Sequence, residues 1–363
     1  MFWWVRGFLV DDSGSSQISS TTENSGPCSE VFENSVIMKR ILEDLDFFDI
    51  QRLRKTSSGI RVCINHLHPE PQIATYCIRL TYSKNVEFFE TIILKNGTSK
   101  GIKTIDFSNM SVVLKNIETN LSLQKSKLEE LRLEFRYNEY DEFSHNLTEK
   151  YDRSKESDLI YLDSMTSEFL LNLKNKLSNR KTQLKIETLR MTRVTQEDVM
   201  NILPFLDLRK IKIIDEKREF EIDEIAKTEP WMNAEQLILK SRGVTTSIAE
   251  MNLLNFANVD ILVKEISSED ILHLKTNLLH SLIFQKVKIT FLNFPDEKEL
   301  HTLIGEPYRT IPNKKKIWYF RMAVPDFYLH IALDIGDYSN RKEDPKPRAI
   351  VLAKVKKEDT PFF

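Results

Sequence analysis

The sequence is poor in glycine and cysteine, and both shortages narrow the classes of protein that it can encode. Its 363 residues include nine glycines and three cysteines, Cys28, Cys63 and Cys77. Cysteines without CxxC or Cys/His spacing predict neither a disulfide framework nor a zinc RING, and they favour a reducing compartment. The few glycines and the absence of GxGxxG, GxSxG and HExxH motifs argue against a phosphate-cradling loop or a catalytic centre. We therefore expect a protein without enzymatic activity, cofactor or metal.

The chain also lacks an excess of charge of either sign and any long apolar run. Lysine plus arginine (52) nearly balances aspartate plus glutamate (54), which gives no global attraction to nucleic acid or anionic membranes. No segment approaches the ~20 apolar residues of a membrane span. The apolar residues 1–10 lack the basic region and the cleavage site of a signal peptide. We expect a cytoplasmic or nuclear protein with no membrane or nucleic-acid partner.

One basic run leaves an alternative open. Lys314–Lys316 could contact phosphate or serve as a nuclear address. The preceding Pro312-Asn313 is a turn signature, which favours a solvated loop.

Composition and periodicity divide the chain into six segments. They are a leader expected to be disordered at 1–30, a helical module at 31–70, a hairpin, helix and strand at 71–137, a polar linker at 138–157, βα repeats at 158–335 and a tail at 336–363. In the helical module, apolar spacing predicts three short helices. Their expected caps and stops are Ser35, the Asp46/Asp49 pair, Ser57 or Ser58, and Pro69 with Pro71.

Alternating apolar residues after Pro71 predict strands. The expected elements are a hairpin of 73–80 and 87–94, a helix at 110–123, a strand at 128–135, a terminal hairpin of 317–324 and 327–334, and an edge strand at 349–355.

An LxxLxL-like spacing occurs six times. The triplets are Leu128, Leu131, Leu133; Ile186, Leu189, Met191; Leu208, Ile211, Ile213; Ala234, Leu237, Leu239; Phe256, Val259, Ile261; and Phe284, Val287, Ile289. From Leu189 onward the middle residues recur every 22 to 28 positions, as in leucine-rich-repeat-type units. Helices are expected between them at 195–206, 222–231, 246–256 and 267–281. The predicted fold is α/β (α+β overall), with a small N-terminal three-helix bundle followed by a curved leucine-rich-repeat-like βα solenoid.

Other polar pairs are interpreted as structural. His66 and His68 have no nearby third ligand, so a metal site is not predicted there. The adjacent acids Glu129-Glu130 and Glu269-Asp270 are typical of solvated faces or first helical turns. No catalytic or metal-binding residue is assigned.

Residues 41–54, Ile-Leu-Glu-Asp-Leu-Asp-Phe-Phe-Asp-Ile-Gln-Arg-Leu-Arg, resemble the core of an F-box. With residues 55–61 they resemble the nematode-expanded F-box family that carries a C-terminal FTH domain. Residues 124–131, 199–207, 221–225 and 229–234 are similar to recurring phrases of that domain. The resemblance departs at two points, because Glu33-Asn34 stands where Leu-Pro is usual and Ile60 stands at a common aromatic position.

This resemblance implies a substrate-recognition adaptor of an SCF-type ubiquitin ligase. The F-box would bind a Skp-type adaptor and through it a cullin, while the FTH domain would bind an unknown target protein. The F-box positions matched for adaptor binding or its supporting core are Ile37, Met38, Ile41, Leu42, Leu45, Phe48, Ile50 and Leu53. An alternative is a leucine-rich-repeat-like protein-interaction scaffold with a vestigial F-box and no ligase link.

The target site is expected on the concave strand face. Polar strand residues that should point outward there are Glu187, Arg190, Lys212, Gln236, Lys240, Lys264 and Lys288. They form a mixed polar set without a chemical theme, so the sequence does not identify the target.

Overall fold

Strands and helices alternate along most of the chain. The computed structural model describes residues 34–45, 47–70, 72–83, 86–95, 98–106, 110–137, 153–293, 297–312, 314–334 and 348–361. The helices in these residues are α1 (Ser35–Glu43), α2 (Phe47–Leu53), α3 (Ser58–Leu67), α4 (Met110–Ser122), α5 (Arg153–Ser178), α6 (Gln196–Ile202), α7 (Glu229–Asn233), α8 (Ser268–Leu278) and α9 (Glu297–Ile304). The strands are β1 (Thr75–Ser83), β2 (Val86–Lys95), β3 (Thr98–Asp106), β4 (Leu128–Tyr137), β5 (Leu184–Thr192), β6 (Leu206–Phe220), β7 (Gln236–Val244), β8 (Asn258–Glu265), β9 (Lys286–Asn293), β10 (Arg309–Ile311), β11 (Lys315–Arg321), β12 (Phe327–Asp334) and β13 (Arg348–Lys356). The predicted mixed α/β class is confirmed.

The described strands form one 13-stranded sheet, in the order β10-β11-β12-β13-β9-β8-β7-β6-β5-β4-β1-β2-β3. Its centre is parallel, with β1 beside β4 and each strand from β5 to β9 beside its predecessor in sequence. Parallel neighbours need a crossover connection, and the helices and turns between these strands supply it. Antiparallel strands flank this centre on both sides. The tandem order agrees with the repeat prediction, while the curvature of the solenoid stays a prediction.

The six LxxLxL-like triplets occupy equivalent positions in this sheet. Leu131 lies beside Leu189 and Leu189 beside Ile211, and the same register continues through Leu237, Val259 and Val287. Every side chain of the six triplets is at most 5% exposed. Burying an aliphatic side chain of this size contributes about 1.5–3 kcal/mol, so the ladder of triplets is a main source of stability.

Helices pack on the face of the sheet that carries the triplets. Phe169 of α5 makes an edge-on contact with Phe135 of β4, with ring centroids 6.1 Å apart. The buried Trp231 indole of α7 donates a hydrogen bond to the carbonyl of Met251 at 3.0 Å and meets Phe256 edge-on. One continuous hydrophobic core therefore lies between the sheet and its helices.

Two of the predicted helices between strands have clear starts. Thr195 and Asp198 form a capping box ahead of α6, and Ser267 and Asp270 form one ahead of α8. In such a box each side chain accepts a hydrogen bond from the other residue's backbone N–H, which satisfies two donors of the first turn. The predicted start at Ser267 is confirmed.

The other two predicted helices are wrong in extent. In 222–231 the chain forms a 3-10 turn at Ile225–Lys227 and the short α7, because extended Thr228 separates them. In 246–256 it forms turns and a 3-10 turn at Leu253–Asn255, preceded by Asn252 in the left-handed region at φ 54. A left-handed residue cannot continue an α-helix.

The long helix α5 was not predicted, although its signal is present. Its buried residues are Leu162, Met165, Thr166, Phe169, Leu170, Leu173 and Leu177, a helical stripe of period 3.6. The first residues of α5, Arg153 to Ser157, lie within the segment 138–157 that is predicted to be a linker. Residues 138–152 lie outside the described part of the chain.

The predicted hairpin of β1 and β2 and the terminal hairpin of β11 and β12 are confirmed. The predicted edge strand is corrected, because β13 lies between β9 and β12 and pairs with both. Buried Ile350 and Leu352 extend the apolar ladder there. Residues 348–356 of the predicted tail are thus part of the sheet's interior, and β3 is a strand that was not predicted.

The three N-terminal helices form a small separate core of Met38, Leu42, Ile50 and Ile64. Asn34, rather than the predicted Ser35, caps α1 by accepting from the N–H groups of Val36 and Ile37. Ser57 caps α3 as predicted. The leader at 1–30 and the proposed Asp46 cap lie outside the described residues.

This N-terminal bundle is tied to the sheet domain by a few specific contacts. Phe47 and Phe48 pack against the main core. The Gln72 side chain donates to the carbonyl of Glu43 at 3.1 Å. Within the described residues, none of the helices combines the length and the apolar character that a bilayer crossing requires.

Candidate functional site

The face of the sheet opposite the helices carries polar side chains because strand residues alternate between the two faces. The residue between the second and third members of each triplet points to this polar face. Together with Cys77 of β1, these six residues form one register row across the parallel strands. The row is Cys77, Arg132, Arg190, Lys212, Ile238, Asp260 and Lys288. Neighbouring strands lie about 4.8 Å apart, so residues adjacent in this row are close enough to interact.

Four cations converge at the β4–β6 end of the polar face. We call Arg132, Arg190, Lys210 and Lys212 the cationic patch. Arg190 and Lys212 are direct register partners, and Lys210 lies two residues before Lys212 on the same face. All four side chains are half-buried, so they remain accessible from the polar face.

Carboxylates neutralise the arginines of the cationic patch only in part. Arg132 forms an ion pair with Glu130 at 2.5 Å, whereas Arg190 lies 3.8 Å from Glu134. The Nε atoms of Arg132 and Arg190 are shielded from solvent and donate no hydrogen bond to a described residue. The hydrogen-bonding capacity of both guanidinium groups is therefore incompletely used.

Glu134 is the buried centre of the neighbouring ion pairs. Its side chain is 2% exposed and lies 3.0 Å from Arg79 and 2.8 Å from Arg136. Arg79 also pairs with Glu90 on β2 at 3.0 Å. Glu134 thus serves several arginines at once, which leaves little negative charge for the lysines of the cationic patch.

The lysines of the cationic patch have no anionic partner in the described residues: neither Lys210 nor Lys212 forms an ion pair there. Burial lowers the pKa of the Lys212 ammonium, and the positive charges of Arg190, Lys210 and Arg132 lower it further. Glu130 opposes this effect. Burial is the largest cause of this shift, and the nearby cations add repulsion that an external anion would relieve.

On the other half of the polar face, two lysines share one carboxylate. Lys240 lies 2.5 Å from Asp260, and Lys288 lies 3.9 Å from the same carboxylate. Ile214, Ile238 and Leu262 add half-buried apolar surface between the two halves. By contrast, Lys210 and Lys212 at the β4–β6 end have no carboxylate within ion-pairing distance among the described residues.

The structure brings six of the seven predicted target-site residues onto this face. Arg190, Lys212 and Lys288 share one row, with Gln236 and Lys240 in adjacent rows. Glu187 instead has no Cα partner in the pairing of β4 with β5, and its carboxylate forms an ion pair with Lys127. Lys264, four residues after Asp260 on β8, lies on the same face and pairs with Glu219 at 3.0 Å.

Sequence reasoning missed Arg132 and Lys210, which complete the cationic patch. The signal for Arg132 was present, since it lies between the second and third residues of the first triplet, as Arg190 and Lys212 do in theirs. Two residues of the mixed polar set, Arg190 and Lys212, therefore belong to one cluster of positive charge. The sequence interpretation found no common chemistry in that set.

The N-terminal bundle offers a second candidate surface. Of the predicted F-box residues, Met38, Leu42 and Ile50 are buried and can only support the bundle. Ile41, Leu45, Phe48 and Leu53 are half-buried, and Ile37 is 40% exposed. Val36, which was not predicted, is 76% exposed. Val36 and Ile37 therefore form an exposed apolar start to α1.

Metal chemistry has no candidate among the described residues, where no group of three His, Cys, Asp or Glu side chains is arranged to hold an ion. His66 and His68 are exposed residues at the end of α3.

Comparison with protein families assigns part of the chain to a known class of domain. An α/β unit of consecutive parallel strands, helices on one face and polar residues on the other is a common form of protein-interaction domain. Residues 167–304 match the FTH domain family, so the chain contains an FTH domain. The match runs from within α5 to the end of α9 and includes Arg190, Lys210 and Lys212. A search of curated proteins found no match to the chain.

Proposed function

We propose that the protein is a substrate-recognition adaptor of an SCF-type ubiquitin ligase. The N-terminal bundle binds a Skp-type adaptor and through it a cullin, and the FTH-containing sheet domain binds a target protein. The chain performs no chemistry of its own in this role. The FTH domain carries the protein-interaction part of the proposal, because the family resemblance associates this domain with an F-box.

The two surfaces support a bridging role because they lie on different elements. The apolar start of α1 is on the N-terminal bundle, which has its own small core. The cationic patch lies on β4, β5 and β6. A protein can occupy one surface without covering the residues of the other, as an adaptor requires.

Exposed Val36 and Ile37 support adaptor docking by the bundle. Apolar side chains that face water next to half-buried Ile41 and Leu45 are typical of a surface that a partner covers. Half-buried residues around them would lose their remaining exposure in the complex. The docking surface therefore centres on α1 rather than on the buried F-box positions.

A binding experiment with purified full-length chain and a recombinant Skp-type adaptor tests this proposal. Wild-type protein should form a saturable complex. Ile37→Asp should weaken it by at least about tenfold, because docking would bury an unpaired carboxylate. Leu42→Asp is a poor test, since Leu42 is 2% exposed and the charge would disrupt the bundle core.

Leu282→Asp is the matched control for this experiment. Leu282 is 77% exposed and lies between α8 and β9, away from the bundle, so the same chemical change should leave adaptor binding intact. A folded wild-type chain that does not bind the adaptor would favour the interaction scaffold with a vestigial F-box.

A further inference from the structure

We propose that the cationic patch binds an extended acidic segment of the target protein, with carboxylates at alternate positions. This inference rests on the target-binding role proposed above and names the chemistry of the target. The occupant is a peptide rich in Asp or Glu that lies on the polar face along β6.

The spacing of the two lysines sets the spacing of the carboxylates. Lys210 and Lys212 are two residues apart on one strand, so their side chains leave the sheet about 6.7 Å from each other. An extended peptide that runs along β6 repeats its side chains at the same interval. Acidic residues separated by one residue would therefore meet both ammonium groups at once.

The charge of the surroundings supports an anionic occupant. Lys210 and Lys212 have no ion pair in the described part of the chain, and Arg190 has only a 3.8 Å contact with Glu134. An acidic segment would supply the charge that this end of the sheet lacks. On the same face, the carboxylate of Asp260 contacts both Lys240 and Lys288, and an acidic segment would contact Lys210 and Lys212 in the same way.

Carboxylates fit the cationic patch better than phosphates do. Phosphate is recognised most effectively by the planar fork of free arginines, but Arg132 is already paired with Glu130. The least neutralised groups are the two lysines, which act as separate point charges, and Arg190, whose contact with Glu134 is 3.8 Å long. Glu130 and Glu134 would also repel a multiply charged phosphate, and the cationic patch contains no aromatic residue on which a nucleic-acid base could stack.

Fluorescence anisotropy with labelled peptides tests the inference on the full-length chain at low salt. The probe is a peptide of alternating glutamate and alanine. Comparison ligands are the same peptide with glutamine for glutamate, one with phosphoserine for glutamate, and a single-stranded DNA oligonucleotide. The glutamate peptide should bind measurably and lose affinity as salt is added, since the contacts are exposed charges.

Matched variants on the polar face locate the binding. The double variant Lys210→Gln, Lys212→Gln should weaken binding of the glutamate peptide by about tenfold. Lys240→Gln, which removes one lysine charge from the same face, should change it by less than about twofold because that lysine is already paired with Asp260.

Several results would overturn the inference. They are equal binding of the glutamine peptide, an equal effect of Lys240→Gln, and binding of only the phosphoserine peptide or the oligonucleotide. The assay contains no Skp-type adaptor, so its failure leaves adaptor docking untouched. Failure of adaptor docking likewise leaves the peptide result standing.

Discussion

The ammonium nitrogen of Lys240 lies 2.5 Å from a carboxylate oxygen of Asp260 on the adjacent strand. Lys212, which lies on β6 and on the same face, has no such partner among the described residues and is surrounded by Arg190, Lys210 and Arg132. The two lysines therefore have the same chemistry and opposite electrostatic surroundings. This contrast distinguishes the two halves of the polar face, and the variants Lys212→Gln and Lys240→Gln test it.

Removing the charge of Lys212 should leave the fold as stable or make it slightly more stable. Lys212→Gln relieves repulsion from neighbouring cations and is expected to raise the free energy of unfolding by a few tenths of a kcal/mol. Lys240→Gln breaks an ion pair and should lower it by about 0–1 kcal/mol. Urea unfolding of both variants at neutral pH measures the difference.

The pH dependence of this difference follows from the sign of the pKa shift. The fold lowers the pKa of Lys212 below the ordinary 10.5, so folding disfavours the charged form. The cost is fully present while Lys212 is protonated and disappears as the pH rises through the folded pKa toward 10.5. The benefit of Lys212→Gln should shrink over that range. A larger benefit at alkaline pH would contradict the assignment.

Glu130→Gln should strengthen binding of the glutamate peptide. Glu130 pairs with Arg132 and is the carboxylate that opposes the lowered pKa of Lys212. Its neutralisation would leave the cationic patch with one more uncompensated positive charge, for an expected gain of about three- to tenfold at low salt. Anisotropy titration checks this, and a weaker complex with an intact fold would count against the patch.

Two adjacent residues of β7 should differ sharply in their effect on stability. Leu239 belongs to the buried ladder and is 0% exposed, whereas Ile238 is half-buried on the polar face. Leu239→Ala should lower the free energy of unfolding by about 2–5 kcal/mol, since it leaves a cavity between sheet and helices. Ile238→Ala should cost about 1 kcal/mol or less. Chemical denaturation distinguishes them, and equal effects would mean that the two faces are misassigned.

Cys77 should be unreactive in the folded protein. Burial, together with the negative charge of Glu134, raises the pKa of its thiol to about 11. In a Cys28→Ser, Cys63→Ser background, the remaining thiol should react with an aromatic disulfide reagent at about pH 8 only after unfolding. Rapid reaction of the native protein would show that the β1 end of the polar face is open.

The sequence could predict the sheet because its signal is local and repeated. The second and third residues of each LxxLxL-like triplet lie two positions apart, which places both apolar side chains on one side of a strand, and packing against helices rewards that pattern at every repeat. The connections were harder to predict. The turn at Asn252 depends on a left-handed backbone and on a hydrogen bond from Asn252 to the carbonyl of Ala226 at 3.0 Å. Sequence spacing does not carry that information.

The position of β13 and the distribution of charge on the polar face depend on tertiary structure. Nothing local in residues 348–356 says that they pair with β9 and β12 rather than lie at an edge. In the same way, the sequence shows Glu130, Glu134 and Asp260 as ordinary acids. Only the folded sheet shows that Asp260 pairs with Lys240 and Lys288 and that Glu134 pairs with arginines. Among the described residues, Lys212 is left without an ion-pair partner.

Sedimentation velocity of the full-length chain with a recombinant Skp-type adaptor and the labelled glutamate peptide tests the bridging role most directly. The account predicts that the peptide signal sediments with the chain–adaptor complex. Ile37→Asp should remove the adaptor and keep the peptide, and the Lys210→Gln, Lys212→Gln variant should do the reverse. If folded wild-type chain sediments alone in the presence of the adaptor, the bridging role is contradicted.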